Sequence, residues 1–339
     1  MTPDQQLRRW AIRARRALVG PGADHEPMVE VEAGAAATPP PRARREGRRG
    51  KIAQFASAFL VTVSLIAIVV AVGSARLAEI RPDWSPAAEP ATGAPYAIAA
   101  AGAALSLVRA EDAYQDGLSL MPGRRKARMR AFQIGAASAV AAFATVTDER
   151  RRRSDPDLAA AAAELSALAA EPDADFSDLE AGRDALARFA DRIADGRARY
   201  DPGPEGLAGL ALACQAAAIA HTAELAGIVQ HGGAWIATAD GEASFFRARG
   251  EAYGWRLVLS AYGRDMTPEA RARAEPALSA LIAASEDVAN YQPLFLLNGP
   301  QQSAAAPNHL AHLAVKLTLV SAAAERLADT TRSQSDPPA

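Results

Sequence analysis

Between Lys51 and Arg76 the chain carries no ionisable side chain. At roughly 1.5 Å per residue, a helix over 52–75 is about 36 Å long, enough to cross a hydrocarbon layer of about 30 Å. Its middle, Phe59, Leu60, Val61, Val63, Leu65, Ile66, Ile68, Val69 and Val70, is apolar without a polar stripe, unlike the amphipathic helix of a soluble domain. Gln54, Ser57, Thr62 and Ser64 interrupt it, and the serine and threonine hydroxyls can bond back to their own helix. The stretch predicts a single N-terminal transmembrane helix, with the lipid bilayer as the first expected partner.

The flanks predict its orientation. Arg42, Arg44, Arg45, Arg48, Arg49 and Lys51 precede the span, while Arg76 and Arg81 beyond it are offset by Glu79 and Asp83. Basic residues stay on the cytoplasmic side, so the N-terminus is expected there and the rest of the chain across the membrane. In a Gram-negative bacterium this means an inner-membrane protein with a periplasmic main domain. The small residues Gly73 and Ala75 resemble a signal-peptide cleavage site, but the apolar run is long for a leader and about 50 residues precede it.

The chain accordingly divides into a basic, largely disordered cytoplasmic tail over 1–51, the span at 52–75, a proline-punctuated linker over 76–95, a periplasmic helical domain over 96–331 and a disordered tail over 332–339. Within the first tail, 5–19 is a basic helix candidate with Leu7, Trp10, Ala14 and Leu18 on one side. It reads equally as a helix on the anionic inner leaflet or as a solvated tail. Residues 20–41, ending in Pro39, Pro40 and Pro41, read as a flexible linker.

The main domain is predicted to be an all-α bundle. Half of the 339 residues are apolar but only 6% are aromatic, so alanine-rich helices packed through small side chains are expected rather than sheets. Helices are expected at 96–116, 124–149, 156–170, 177–198, 204–230, 242–264, 267–290 and 304–329. Asp155-Pro156 and Thr267-Pro268 place a capping side chain before a proline at the first helical position. Strand signal is confined to 234–238, too short to carry a sheet. Two other uncharged stretches, 94–108 and 206–223, invite a membrane reading. The first is too short, and the second relies on alanine and glycine and carries Gln215 and His221, so both read as the buried centre of the domain.

The chemistry available is narrow. Cys214 is the only cysteine, which excludes an intrachain disulfide or cysteine-based zinc cage and reads as a small buried hydrophobe. The net charge of −2 argues against nucleic acid as a partner. No phosphate loop, Gly-x-Ser-x-Gly elbow or His-Glu-x-x-His occurs, and no cofactor is expected. The arginines at 150–153 lie among Asp148, Glu149, Asp155 and Asp157 and read as a self-neutralised helix end, with an anionic-partner patch as the alternative. His221 and Glu224, like His309 and His312, are three apart and share a helical face. They form the alternative metal set, since helical bundles build metal sites from such pairs plus further carboxylates.

The last third carries a distinctive pattern: Phe245-Phe246-Arg247-Ala248-Arg249-Gly250, then Tyr253, Trp255, Leu259 and Asp265, then Leu296-Leu297-Asn298-Gly299, then Asn308-His309-Leu310-Ala311. Here the chain resembles the bacterial membrane-anchored family catalogued as domain of unknown function 2333. The likeness runs from about Ser244 to Ala328 and extends over Asp155 to Leu210, where Asp155-Pro156-Asp157-Leu158 also looks similar. It departs where Met129-Arg130-Ala131-Phe132-Gln133 stands in place of an Asn-Trp-Glu. It implies one N-terminal span followed by a helical domain, and it implies no activity.

Physically, Gly250 would admit a neighbouring backbone, with the Arg249 guanidinium reaching carbonyls or a carboxylate across the helix pair. Asn298-Gly299 suits a positive-φ turn, and Asn308 suits the cap of the last helix. Arg249, Asp265, Asn298, Asn308 and His309 are the candidate rim of a ligand site. The expected function is a cell-envelope scaffold or binding protein with a protein or cell-wall partner. The rivals are an envelope hydrolase using paired carboxylates, a metal-dependent helical-bundle enzyme, and a sensor coupled to the basic tail.

Overall fold

The computed structural model describes residues 61–65, 94–109, 122–151, 153–170, 177–231, 237–293, 296–299 and 308–335. The expected tail over 1–51, most of the 52–75 span and the linker up to residue 93 lie outside these. Residues 61–65 are helical, with Val61, Val63 and Leu65 exposed. By contacts the chain divides at Leu60, and every described residue belongs to the part from Val61 onward.

The domain is all-helical, and no strand occurs among the described residues. Its helices are α1 (Tyr96–Arg109), α2 (Pro122–Glu149), α3 (Pro156–Ala170), α4 (Ser177–Ala194), α5 (Pro204–His231), α6 (Ala239–Asp265), α7 (Pro268–Ala289) and α8 (His309–Ser335). Thr267 caps α7 by accepting the Ala270 N–H at 3.3 Å, and Asp155 opens α3 by accepting the Asp157 N–H at 3.1 Å. Thr238 caps α6 through the Gly241 N–H at 3.2 Å, which starts that helix at Ala239, ahead of its expected start. After α4, Gly196 takes a φ of 70°, ending the helix at Ala194 rather than 198. At the other end of the domain α8 continues to Ser335, into the stretch expected to be a disordered tail.

Helix α6 is the axis of the bundle. It is buried around nearly its whole circumference and is packed against α1, α2, α5 and α7. The α2–α6 crossing is as close as backbones allow, because a Cβ on Gly250 would lie 2.0 Å from the Phe132 carbonyl oxygen and one on Gly135 would lie 2.0 Å from that of Arg247. The close approach expected at Gly250 is therefore real, and α2 is the helix that makes it. The other extensive contact is between α5 and α8. Helix α8 carries Leu310, Leu313, Leu317, Val320, Ala324 and Leu327, spaced three and four apart on one face and all buried. Each large aliphatic group so buried contributes roughly 1.5–3 kcal/mol.

Two described helical segments are long and apolar enough to cross a membrane, Ala127–Glu149 within α2 and Pro204–His231, which is α5. The expected architecture had one such helix, at the N-terminus. The apolar stretch of the first is 67% buried and that of the second 44%. Long core helices of a bundle meet the same criterion, because an interior of alanine, leucine and valine has the composition of a span. Helix α5 buries Leu207, Leu210, Cys214, Ala218, His221 and Leu225 inside the domain and leaves Leu212 and Ile219 exposed.

Candidate functional site

The expected rim residues do not line one cleft; each is engaged with the fold. Arg249 is only 2% exposed, and its Nε and Nη2 donate to the Ala289 carbonyl at 3.0 and 2.8 Å. Ala289 ends α7, so the cation sits at the negative end of that helix dipole, with the rings of Phe245 and Phe246 5.9 and 5.5 Å away. Burial lowers the guanidinium to about 10, which leaves it charged at neutral pH. Asp265 lies about 24 Å further along α6. Its two oxygens accept the Tyr96 and Ala97 N–H groups at 2.8 Å each and so cap α1. Burial raises its carboxyl, against the pull of those two N–H groups.

Asn298, Asn308 and His309 form one cluster at the start of α8. The Asn308 amide donates to Asn298 Oδ1 at 2.9 Å and to the Gly299 carbonyl at 2.8 Å, while Asn308 Oδ1 accepts the Ala311 N–H at 2.8 Å. Asn308 is thus the cap expected of it. His309 Nδ1 accepts the Leu297 N–H at 3.0 Å. The positive φ expected at Asn298-Gly299 is not found. Among the described residues Gly196 is the left-handed glycine, and Asn298 instead pairs with Asn308 in a short antiparallel bridge.

The two histidine pairs go to different surroundings. His221 Nε2 donates to Glu251 at 2.6 Å, and its Nδ1 lies 3.5 Å from Glu224. Ser244 Oγ donates to Glu224 at 2.6 Å, and Arg247 stands 4.0 Å from the same carboxylate. Burial opposes a charge on His221, but Glu224 and Glu251 outweigh it and raise the imidazole to about 9. Glu224 is in turn lowered to about 2, chiefly by His221. This network joins α5 to α6. His312, by contrast, stacks edge-on to Tyr291 with ring centres 5.4 Å apart, next to His309. Among the described residues no group of three or more His, Cys, Asp or Glu is arranged to hold a metal.

An open cleft of about 500 Å³ forms where the end of α2, the segment before α5 and the end of α6 meet. It is lined by Arg150, Arg151, Arg153 and Arg199, with Asp201 as the one carboxylate, and by Tyr200, Tyr262, Val146 and Leu210. The self-neutralised reading of the arginine run holds for Arg151, which lies 3.4 Å from Asp155 and also donates to the Arg199 carbonyl. Arg150 pairs instead with Glu205 of α5 at 2.9 Å. The Arg153 and Arg199 side chains are exposed and make no ion pair or hydrogen bond within the described residues. Asp148, two residues before the run, is taken by Ser154 Oγ at 2.6 Å and by the Asp155 N–H.

Burial raises the hydroxyl pKa of both tyrosines in the wall, and Asp265 adds to the effect at Tyr200. Tyr262 donates to the Gly203 carbonyl at 3.1 Å. Arg199, Tyr200 and Tyr262 carry no local pattern that would tie them to 150–153, so sequence reasoning missed them. The chain matches no family model, no curated protein and no solved structure.

Proposed function

We propose that the chain is a single-pass protein of a bacterial inner membrane, akin to the family of domain of unknown function 2333. Its helical domain would face the periplasm and act as a non-catalytic scaffold or binding partner in the cell envelope. What carries this reading is the use made of the conspicuous polar residues. Arg249, Asp265, Asn308 and His309, which a catalytic reading would have to set around a substrate, each hold backbone atoms of the fold. The uncharged run over 52–75 supports an anchor, and the arginines before it support a cytoplasmic N-terminus.

The test is capture by mild crosslinking in cells, using the full chain and a control in which the first 95 residues carry an unrelated domain. Enrichment of an envelope protein or glycan over the control is expected, and its absence overturns the scaffold reading. Fusions after Ala339 check the placement separately. Alkaline phosphatase there should be active and a cytoplasm-dependent fluorescent protein dark, and the reverse pattern overturns the topology.

A further inference from the structure

The arginine-lined cleft has a composition that the scaffold reading does not use. Four arginines line it against one carboxylate, and the two without an internal partner, Arg153 and Arg199, come from different segments of the chain. Arg150 is held at the wall only by an exposed pair, since Glu205 is 70% exposed, and such pairs are weak enough to exchange for a better anion. Gly203, immediately before α5, has no side chain with which to cap the first-turn N–H groups. The positive end of the α5 dipole thus opens beside the same arginines.

The remaining wall is of another kind. Tyr200 and Tyr262 meet edge to face with ring centres 6.3 Å apart, and Val146 and Leu210 add aliphatic surface. A volume of about 500 Å³ exceeds what a bare oxyanion fills and lies in the range of small-molecule sites. Gly206 lets two of these wall side chains pack against α5, because a Cβ there would lie 2.1 Å from the Tyr262 hydroxyl and 2.8 Å from Arg150 Nη1.

From this arrangement we propose that the cleft binds a phosphate ester, with the phosphate between Arg150, Arg153 and Arg199 and the esterified group against Tyr200 and Tyr262. Planar guanidinium forks match phosphate oxygens, and several converging arginines suit a group with more charge and more acceptor oxygens than a carboxylate. The ester is either a lipid headgroup or a soluble sugar or glycerol phosphate, since both present the same oxygens beside a less polar portion. The inference stands apart from the export topology, because it uses only the described domain.

The experiment is calorimetric titration of the full chain in a non-ionic detergent with glycerol 3-phosphate, with short-chain phosphatidylglycerol, and with glycerol and a tetraglutamate peptide as controls. Saturable binding of one or both phosphate esters is expected, at least tenfold tighter than either control and weakening as salt is raised. Binding of the lipid alone assigns the source to a headgroup, and binding of glycerol 3-phosphate assigns it to a soluble ester. The double variant R153Q/R199Q touches no internal contact, so it should keep the thermal unfolding midpoint of the parent while losing at least tenfold in affinity. G206A, which crowds Arg150 and Tyr262, should lose affinity as well. No saturable binding of either ester, equal or tighter binding of tetraglutamate, or undiminished binding by a folded R153Q/R199Q chain would each overturn the proposal.

Discussion

The guanidinium of Arg249 grips the carbonyl oxygen of Ala289 with two N–H groups, 3.0 and 2.8 Å away, and so fastens the middle of the most buried helix to the end of α7. A lysine at 249 would keep the charge but lose the fork and the stacking on Phe245 and Phe246. Arg249→Lys is expected to lower stability by about 2–3 kcal/mol, the scale of a charge-assisted hydrogen bond left incomplete in an interior. Urea unfolding of the full chain in detergent reads this directly. A change within about 0.5 kcal/mol, the usual scatter of surface substitutions, would mean that the contact contributes little.

Gly250 and Gly227 should respond in opposite directions to the same change. Gly250→Ala drives a methyl group into the Phe132 carbonyl and has to part α2 from α6, so a loss of about 3 kcal/mol or more is expected. Gly227 in α5 has nothing within 4 Å of its would-be Cβ. Gly227→Ala should therefore stabilise by about 0.5–1 kcal/mol through the backbone entropy of the unfolded chain. Thermal midpoints of the pair provide the check, and a Gly250→Ala chain as stable as its parent would contradict the close crossing.

Asp265 caps a helix from which it is far removed in sequence. Asp265→Ala removes the acceptor of both the Tyr96 and Ala97 N–H groups and should cost about 1–2 kcal/mol, concentrated in α1. Asp265→Asn keeps one acceptor oxygen and should cost less. Hydrogen exchange should quicken in the first turn of α1 in the alanine variant while α5 and α8 keep their protection. Uniform quickening of all three would show that the carboxylate does more than cap.

His221 gives stability a pH dependence whose sign is fixed by its carboxylate partners. Its folded pKa, raised to about 9 from an ordinary 6.5, means that the folded chain holds the proton more tightly than the unfolded one. The stabilisation is present in full below about pH 6.5 and is lost as pH rises toward 9, a difference on the order of 3 kcal/mol. Unfolding free energies at pH 6 and 9 should differ by this amount in the parent and hardly at all in H221Q. An equal slope in both would place the titrating group elsewhere.

Most of the secondary structure was legible because its causes are local. The Thr267-Pro268 and Asp155-Pro156 starts follow from a capping oxygen next to a fixed φ, and the observed α3 and α7 begin where those residues put them. Thr238 stands at the end of the 234–238 strand signal, yet its side chain suffices to start α6 directly after it. Asn308 was recognised as a cap for the same local reason that made Thr267 one. The candidate site was much less legible. Arg249 was expected to reach a carbonyl or a carboxylate, and only the fold selects the end of α7, forty residues away.

Alanine-rich periodicity, proline placement and capping oxygens thus determined that this chain is helical and roughly where each helix begins, because those forces act within a few residues. Which polar groups are consumed and which are left open was decided by the tertiary structure alone. The Arg150 and Arg151 side chains find Glu205 and Asp155, whereas Arg153 and Arg199 are brought to one cleft and form no ion pair within the described residues, Asp201 being the carboxylate in its lining. An ion pair depends on distance in space, and neighbours along a helix often point away from one another, so the charges flanking a run of arginines do not reveal which of them stay unpaired.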